Sequence, residues 1–346
     1  MESRIARLGL TLGDPSGIGP EVIAKILAKG DRYPNTQLVV VGDQRLLKMG
    51  FEIAGESPVE IPVVSELTDE IDDEAPFVML EFPTCGPGDF AIGEVGKVAG
   101  KASFETLVYT LGLTRAGQLD GFVFGPLNKE AMHLGGNPHK SELEFFQKEF
   151  QQEDVENELN YLEGLWTTRV TSHVGLSEVC PLITKANVLK TLRFMDSVLR
   201  DYGHEQASIA VAALNPHAGE HGLFGREEMD EIEPAVLAAQ AEGINARGPF
   251  PADTVFLRVR RERYHGLVSM YHDQGQIAMK LMGFERGVTV AGGLPVPIST
   301  PAHGTAHDIA GKGIADPSAT HEAIQVASTM VKNRKGAAET RTTNAK

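Results

Sequence analysis

A chain of 346 residues is long for one compact core, so two α/β lobes or one large interrupted domain are expected. Its 42% hydrophobic and 23% charged residues are typical of a globular protein, and its net charge of −15 argues against a broad nucleic-acid-binding surface. The short apolar start predicts a first strand rather than a signal peptide, and no run of about twenty apolar residues could span a bilayer. The two cysteines form no CxxC pair, which indicates a reducing compartment. These features predict a cytoplasmic protein.

Short apolar runs punctuated by glycine and proline predict buried strands of a largely parallel sheet. These runs are Leu8–Leu12, Leu38–Val41, Gly121–Phe124, Ile209–Ala213 and Gly266–Met270. Helical periodicity lies between them, at Pro20–Ala28, Lys97–Ala116, Ala186–Tyr202 and Glu227–Glu242. The alternation of strands and helices predicts an α/β fold. Apolar periodicity ends after Val331, so residues 332–346 are expected to form a disordered tail.

A glycine-rich turn, GDPSGIGPE, directly follows the first predicted strand and precedes a helix. It contains neither GxGxxG nor a P-loop pattern, so neither of the common nucleotide-binding fingerprints is supported. Pro20 at the start of a helix fits an ordinary strand-to-helix connection. Asp14 and Gly17 fit an active-site role equally well, and the sequence leaves both interpretations open.

Three histidines lie in polar segments, namely Ser172-His173, Asn215-Pro216-His217 and Tyr271-His272-Asp273. Two of these segments directly follow predicted strands, where the polar sites of α/β proteins are built. Histidine is the commonest metal ligand, and three protein ligands leave a position open for substrate oxygens. A single histidine is more often structural, and eight others in the chain mean that spacing alone does not select these three.

Two charged residues are candidates for a role beside such an ion. Asp253, in GPFPADT, could instead cap a helix. Lys280, in AMKLMGFERG, could relay the proton lost when an alcohol becomes a carbonyl. The later loop Gly292–Gly313 has small and hydroxyl residues that suit close approach of backbone amides to a nucleotide, although composition alone favours an ordinary loop.

Six segments together resemble the 4-hydroxythreonine-4-phosphate dehydrogenase family of pyridoxal-phosphate biosynthesis: GDPSGIGPE, NPHAGE, PADT, YHDQG, GFERGV and HGTAxDIAGKG. The resemblance runs in order from Leu10 to about Val331. It implies a homodimer with a two-lobed fold like that of isocitrate and isopropylmalate dehydrogenases, and an active site in the cleft near the dimer contact. Residues 1–130 and 285–331 are expected to form the NAD-side lobe, and residues 131–284 the lobe with the metal ligands and the dimer contact.

The resemblance also implies roles for individual residues. The histidines that match the family's metal ligands are His173, His217 and His272, for an ion that could be Zn, Co, Mn or Mg. Lys280 and Asp253 match residues that line the substrate and are the expected catalytic groups. The other expected substrate contacts are Asp14, His139, Lys140, Thr289 and Ile298. The residues expected to approach NAD are Gly293, Gly304, Thr305 and Asp308.

The chemistry that the resemblance implies is stepwise. A divalent ion binds the hydroxyl group of a secondary alcohol, and a hydride is transferred from the alcohol carbon to the nicotinamide of NAD. The carboxylate beta to that hydroxyl makes the product a 3-oxo acid, which can then lose CO₂ because the carbonyl is polarised. The family resemblance therefore predicts oxidation followed by decarboxylation of a small hydroxy acid.

This chain departs from the usual family pattern near the substrate. It has Pro138-His139-Lys140-Ser141 where GHTE is usual, Thr289 where asparagine is usual, and Ile298-Ser299-Thr300 where Arg-Thr-Ser is usual. Isoleucine cannot make the charge-assisted bonds of the expected phosphate-binding arginine, each worth ~1.5–3 kcal/mol. A substrate without phosphate is therefore predicted, most concretely the cis-dihydrodiol of terephthalate, which gives protocatechuate in aromatic degradation. Lys140 is expected to pair with its second carboxylate, and Ile298 to form an apolar wall.

Two alternatives remain. The chain could be a 4-hydroxythreonine-4-phosphate dehydrogenase or a four-carbon sugar-acid phosphate dehydrogenase, in which Lys140 contacts phosphate as a point charge. It could also be an inactive metal-binding relative, although the retained histidines, Asp253 and Lys280 argue against this. The expected partners are a small hydroxy acid and a second copy of the chain, with no nucleic acid and no membrane.

Overall fold

The computed structural model describes residues 5–68, 71–152 and 158–344. They form a mixed α/β fold that divides into two compact units. Unit 1 comprises Met1–Glu156 and Val288–Lys346, and unit 2 comprises Asn157–Gly287. The chain therefore leaves unit 1 once and returns to it near its end.

The strands and helices alternate along most of the chain. The strands are β1 (Ala6–Thr11), β2 (Thr36–Gly42), β3 (Val63–Val64), β4 (Phe77–Glu81), β5 (Gly121–Phe124), β6 (Glu158–Leu162), β7 (Leu165–Arg169), β8 (Ser208–Ala212), β9 (Asn245–Phe250), β10 (Gly266–Ser269), β11 (Val288–Ala291) and β12 (Ile298–Pro301). The α-helices are α1 (Gly19–Lys29), α2 (Gln44–Ala54), α3 (Lys97–Arg115), α4 (Lys129–Leu134), α5 (Glu142–Phe150), α6 (Leu176–Leu182), α7 (Lys185–Tyr202), α8 (Glu233–Ala241), α9 (Ala252–Glu262), α10 (His272–Gly283) and α11 (Ser318–Asn344). Each apolar run and helical pattern taken from the sequence coincides with one of these elements within a few residues, and a π-helical turn, Glu228–Ile232, precedes α8.

The sheet of unit 1 has the strand order β3-β4-β2-β1-β5-β12-β11. Its strands pair in parallel, except that β11 is antiparallel to β12. Every residue of β1 and β2 is buried, which explains why their runs Leu8–Leu10 and Leu38–Val41 are apolar without alternation. After β1 the chain adds strands on one side of it and later places β5 on the other side. The carboxyl ends of β1 and β5 therefore flank a topological switch point, where sheets of this kind bind ligands.

The sheet of unit 2 has the order β6-β7-β10-β8-β9, with only the β6–β7 pair antiparallel. Its core joins the central strands to α9 and α10 through Leu162, Ala210, Val255, Leu267 and Met279. Because β7, β10 and β8 are parallel neighbours, the loops that follow them leave the same edge of the sheet. This edge carries all three candidate metal ligands.

The boundary between the units differs from the expected one at residue 130. Helices α4 and α5 belong to unit 1, because Phe145 and Phe146 of α5 pack in the core with Phe122 of β5. Helix α4 lies so close to α3 that a Cβ on Gly100 would be 1.8 Å from the carbonyl oxygen of Ala131. Contacts of two aromatic side chains thus extend unit 1 beyond the point where the sequence predicted the change of lobe.

The expected disordered tail is also corrected. Helix α11 continues from Ser318 to Asn344, well past Val331, and residues 345 and 346 lie outside the described residues. Lys335 pairs with Asp120 at 2.9 Å, and an Arg334 nitrogen donates to the Leu294 carbonyl at 3.2 Å. Lysine, arginine, alanine and glutamate residues, which have good helix propensity, are interspersed along this segment and favour the helix without apolar periodicity. Among the described residues no helix, α11 included, is long and apolar enough to cross a membrane.

Candidate active site

The parallel pairing of β7 with β10 brings two candidate metal ligands together. The pairing continues past the strands, because the Thr171 N–H donates to the Met270 carbonyl at 3.0 Å. As a result, the ring centroids of His173 and His272 are 5.7 Å apart. His272 Nδ1 lies 2.7 Å from Oδ1 of Asp273, so its Nε2 is the nitrogen left for a ligand. Two imidazoles, one of them backed by a carboxylate, fit two positions around a divalent ion.

The third histidine, His217, follows β8 in the turn Pro216–Gly222. This turn is left-handed, with φ of 53° at His217 and positive φ in the four residues after it. It is anchored by buried Glu228, whose Oε1 accepts the N–H groups of Leu214 and Asn215 at 2.8 and 2.7 Å. The His217 ring is exposed and lies 6.2 Å from the ring of Phe224.

Within one chain the predicted three-histidine group is not assembled. Among the described residues no group of three or more His, Cys, Asp or Glu side chains is arranged to hold a metal ion. His173 and His272 approach each other, whereas the left-handed turn holds His217 beside Phe224. Sequence spacing could not show this, because the direction of the His217 side chain depends on backbone dihedral angles in its own turn.

A buried arginine that the sequence did not indicate organises this edge of unit 2. Arg169, the last residue of β7, is 4% exposed. Its Nε donates to Ser172 Oγ at 3.0 Å, its Nη1 to Asn160 Oδ1 at 3.3 Å and its Nη2 to Glu158 Oε2 at 3.1 Å. The available signal in the sequence was an arginine at the end of a buried strand, since charged residues are rarely buried without partners.

The arginine network joins the segments that carry the two neighbouring histidines. Ser172 directly precedes His173. On the other side, Gln276 of α10 donates to Asn160 Oδ1 at 2.6 Å, and α10 begins at His272. Arg169 and Asn160 therefore connect the loop after β7 to the helix after β10.

Gln274 is a second positioning residue that the sequence did not indicate. Its Oε1 accepts the Met270 N–H at 2.7 Å, and its Nε2 donates to the Ala213 carbonyl at 2.8 Å. One side chain thus holds the ends of β10 and β8 together. The YHDQG segment contains this glutamine, but only the parallel pairing of the strands reveals what it contacts.

The two candidate catalytic residues lie on the helices beside these loops. Asp253 is exposed in the first turn of α9, which contacts the turn Pro216–Gly222. No side chain caps the start of α9, so Asp253 does not act as the cap that the sequence also allowed. Lys280 is exposed on α10, eight residues after His272 and hence ~12 Å further along the helix.

In unit 1 the turn after β1 packs on the loop after β5 and on the loop after β12. The Asp14 N–H donates to the Pro126 carbonyl at 2.8 Å, and the Ile18 N–H donates to the Thr305 carbonyl at 3.0 Å. A Cβ on Gly17 would lie 2.8 Å from Thr305 atoms, so only glycine permits this approach. Three loops from the carboxyl ends of β1, β5 and β12 therefore meet at the switch point.

The buried side chains of Asp14 and Ser16 lie at this meeting point. Asp14 Oδ1 accepts the backbone N–H of Ser16 at 2.9 Å and its hydroxyl at 2.7 Å. The Ser16 hydroxyl also lies 3.4 Å from Nε2 of His307. Asp14 Oδ2 is buried and has no hydrogen-bond partner among the described residues, as suits an acceptor for a hydroxyl of a bound nucleotide or substrate.

Residues 34–327 match the family described as pyridoxal phosphate biosynthetic protein PdxA. The chain belongs to this family. It is 46% identical over 333 residues to a Pseudomonas aeruginosa protein provisionally named 4-hydroxythreonine-4-phosphate dehydrogenase 2, an alignment that covers 95% of this chain and 98% of that protein. It is 39% identical over 325 residues to a Symbiobacterium thermophilum protein provisionally named D-threonate 4-phosphate dehydrogenase, with 92% and 95% covered.

Solved structures show the same relationship to PdxA enzymes. The 4-hydroxythreonine-4-phosphate dehydrogenase of Klebsiella pneumoniae superposes with a TM-score of 0.79 at 33% identity, covering 94% of this chain and 99% of that one. A terephthalate 1,2-cis-dihydrodiol dehydrogenase from Burkholderia xenovorans superposes with a TM-score of 0.65 at 28% identity, covering 94% and 98%. The chain is thus more similar to the PdxA enzyme than to the dihydrodiol enzyme in both sequence and structure.

The residues that the PdxA resemblance assigns to NAD lie in two places of unit 1. Gly293, with φ of 72°, is in the turn between β11 and β12. Gly304 and Asp308 are exposed, and Thr305 is buried against Gly17. A Cβ on Gly304 would meet no atom of the chain within 4 Å, so packing does not require this glycine and the surface beside it is open to a ligand.

His139 and Lys140 lie between α4 and α5 in unit 1. The His139 ring is 5.1 Å from the ring of Phe145, and its Nδ1 is buried without a hydrogen-bond partner among the described residues. Lys140 is exposed, and its backbone N–H donates to Glu144 Oε2 at 2.8 Å. Its ammonium group forms no ion pair within the described parts of the chain, so it can bind an anion.

The expected apolar wall at Ile298 is corrected. Ile298 is 0% exposed and packs in the core of unit 1 with Leu107, Phe122 and Phe146. Its partner across the β11–β12 ladder is Ala291, whereas Thr289 lies opposite Thr300 and is half-buried. Ile298 is therefore a core residue of unit 1 and does not form the expected wall of a substrate site.

Proposed function

We propose that this chain is an NAD-linked dehydrogenase that oxidises the secondary alcohol of a phosphorylated four-carbon hydroxy acid, with 4-hydroxythreonine 4-phosphate as the first candidate. The observation that carries this proposal is the 46% identity, over nearly the whole length of both chains, to a protein provisionally named for that activity. The dihydrodiol of terephthalate becomes the less favoured substrate. Its main support was the missing arginine at position 298, and that position lies in the core.

D-Threonate 4-phosphate is the second candidate substrate. A relative at 39% identity carries that name provisionally. Both compounds carry a hydroxyl group on a carbon chain that ends in phosphate. Only 4-hydroxythreonine 4-phosphate also carries an amino group. The segment Pro138-His139-Lys140-Ser141, where the family usually has GHTE, supports a changed preference within this class of substrates.

In the proposed site, His173 and His272 would hold a divalent ion, and His217 is the further ligand expected from the family. When bound, the ion supplies Lewis-acid polarisation of the substrate hydroxyl, and NAD supplies the hydride acceptor. In its neutral form Lys280 would take the hydroxyl proton, and Asp253 would orient the substrate. The 3-oxo acid that results can lose CO₂ in a following step. The loop that contains Gly304, Thr305 and Asp308 would hold NAD.

We also propose a homodimer in which the histidine-bearing edge of unit 2 lies near the dimer contact. The support is a set of exposed apolar residues on the elements of unit 2 that carry or adjoin the histidines: Val174, Leu176, Leu223, Phe224, Leu257, Ile277 and Leu281. Exposed apolar residues in this number are typical of a contact surface. Sedimentation equilibrium tests it, because a mass near 37 kDa would rule out the dimer.

The direct test is NADH formation by metal-reconstituted protein with three substrates: 4-hydroxythreonine 4-phosphate, D-threonate 4-phosphate and the terephthalate dihydrodiol. Turnover of either phosphate ester, but not of the dihydrodiol, is the expected result. Turnover of the dihydrodiol alone would overturn the proposed substrate class. No NADH from any of the three would favour an inactive metal-binding relative.

Lys140 provides a sharper test of phosphate recognition. We propose that its ammonium group binds the substrate phosphate as a point charge. Lys140→Ala is then expected to raise KM for the phosphate ester about 10- to 100-fold, because a charge-assisted hydrogen bond is lost. Lys129→Ala is the control, since Lys129 is also exposed in the same region and faces Glu142 at 3.7 Å. Equal KM values for both variants and the parent chain would exclude Lys140 from the phosphate site.

A further inference from the structure

His307 lies in the segment HGTAHDIAGKG at the position that varies in the family pattern, and none of the roles described above involves it. It is half-buried in the loop after β12, at the switch point of unit 1. Its Nε2 lies 3.4 Å from the hydroxyl of Ser16, which in turn lies 2.7 Å from Asp14 Oδ1. An imidazole is thus linked through one hydroxyl to a buried carboxylate.

The direction of these hydrogen bonds follows from the number of protons. A carboxylate only accepts, so the single hydroxyl proton of Ser16 is donated to Asp14. The Ser16 oxygen can then only accept from His307, which requires a proton on Nε2. In the neutral imidazole this leaves a lone pair on Nδ1. Asp14 and Ser16 therefore select the tautomer of His307 whose second nitrogen is an acceptor.

An acceptor at this point favours a hydroxyl group and disfavours a phosphate group. A hydroxyl can donate to Nδ1, whereas a phosphate dianion has no proton to donate and also meets the negative potential of Asp14. Ligands of doubly wound sheets bind at the switch point, and the open surface beside Gly304 lies three residues away in the same loop.

We propose that His307 sets the preference for NAD over NADP. Its Nδ1 accepts a hydrogen bond from the 2′-hydroxyl of the adenosine ribose, and the same atom excludes the 2′-phosphate of NADP. The inference rests on the proposed function only in that the chain binds a nicotinamide dinucleotide. It does not depend on which substrate is oxidised.

The test is equilibrium binding of NAD⁺ and of NADP⁺, measured by calorimetry on the parent chain, His307→Phe and His307→Gln. The parent chain is expected to bind NAD⁺ at least tenfold more tightly than NADP⁺. In His307→Phe the affinity for NAD⁺ should fall about tenfold while that for NADP⁺ changes little, so the preference is lost. In His307→Gln the amide nitrogen can donate to Ser16 and the amide oxygen can accept from the ribose, so the preference should be kept.

A residue that only ties the two loops together would give a different pattern. His307→Phe would then weaken both dinucleotides equally and leave their ratio unchanged, which would overturn the proposal. Failure of the parent chain to bind NAD⁺ more tightly than NADP⁺, including failure to bind either, would also overturn it. If NAD⁺ is preferred through His307 but none of the candidate substrates is oxidised, the proposed substrate class fails and the inference stands.

The tautomer gives a readout that needs neither cofactor nor turnover. With ¹⁵N-labelled histidine, the resonances of His307 are those missing from the spectrum of His307→Gln. The expected result is a protonated Nε2 and an unprotonated Nδ1, and Ser16→Ala is expected to remove this bias. A proton on Nδ1 in the neutral parent chain would contradict the hydrogen-bond direction on which the inference depends.

Discussion

In each unit one cation, half-buried Lys25 in unit 1 and buried Arg169 in unit 2, holds loops together. In unit 1 the ammonium group of Lys25 donates to Glu21 Oε1 at 2.7 Å and to the carbonyls of Gly313 and Ala315 at 2.9 and 2.8 Å. In unit 2 Arg169 has the same role between loops. The sequence shows each cation but not its partners, because the carbonyls bound by Lys25 lie almost 300 residues away along the chain.

Lys25→Met removes three charge-assisted hydrogen bonds and leaves Glu21 buried without its cation. The free energy of unfolding is expected to fall by about 2 kcal/mol, because hydrogen bonds to charged groups are the stronger ones. Lys29→Met on the same helix is the control, since Lys29 is exposed and pairs with Asp31 at the surface. It should change stability by less than about 0.5 kcal/mol. Urea denaturation measures both, and equal effects would mean that the Lys25 contacts add nothing.

Arg169→Met tests whether the arginine network positions the metal ligands. Loss of the bonds to Ser172 and Asn160 frees the loop that carries His173 from the helix that carries His272. Affinity for Mn²⁺ or Co²⁺ is expected to fall about 10-fold or more, as for other groups that orient metal ligands. Calorimetric metal titration checks this. Arg193→Met, which breaks an exposed pair with Glu242, is the control, and metal affinity that is equal in the two variants would contradict the positioning role.

At the scale of elements, the packing of α3 on α4 depends on one glycine. The carbonyl oxygen of Ala131 would lie 1.8 Å from a Cβ on Gly100, whereas a Cβ on Gly112 of the same helix would meet nothing within 4 Å. Both glycines have the same helical conformation and lie in the same element. They differ only in what faces them, so they form a matched pair for separating packing from helix propensity.

Gly100→Ala is expected to destabilise the chain by about 3 kcal/mol, because two helix backbones must move apart. Gly112→Ala is expected to stabilise it by up to about 1 kcal/mol, because alanine is the better helix former and no contact opposes it. Thermal or urea unfolding measures both. If both substitutions destabilise the chain by a similar amount, the α3–α4 contact is not the cause, because only Gly100 faces α4.

At the scale of the whole molecule, the dependence of stability on pH includes a histidine pair in unit 2. The rings of His204 and His265 are 4.4 Å apart. Burial, and secondly the charge of His265, lowers the pKa of His204 below its usual value. The unfolded chain therefore takes up a proton at a higher pH than the folded chain does.

This contribution to stability is complete above the ordinary histidine pKa and is lost as the pH falls toward the lowered value. Unfolding free energy, measured by urea denaturation between pH 8 and pH 5, should fall as the solution becomes more acidic. His204→Asn should reduce that slope and leave the slope between pH 7 and pH 8 unchanged. If the unfolding free energy of the variant fell more steeply than that of the parent chain, the pKa of His204 would have to be raised by folding and not lowered.

The sequence by itself determined the α/β class, the main strands and helices, and the motifs that indicate the family. These features are local, because apolar runs and helical periodicity report what each segment must bury. Tertiary structure alone decided that Ile298 belongs to the core, that α4 and α5 belong to unit 1, that the His217 ring lies beside Phe224, and that Arg169 joins the segments that carry His173 and His272. The physical reason is that strand pairing and backbone dihedral angles set the direction of each side chain, and contacts between distant segments cannot be read from spacing along the chain.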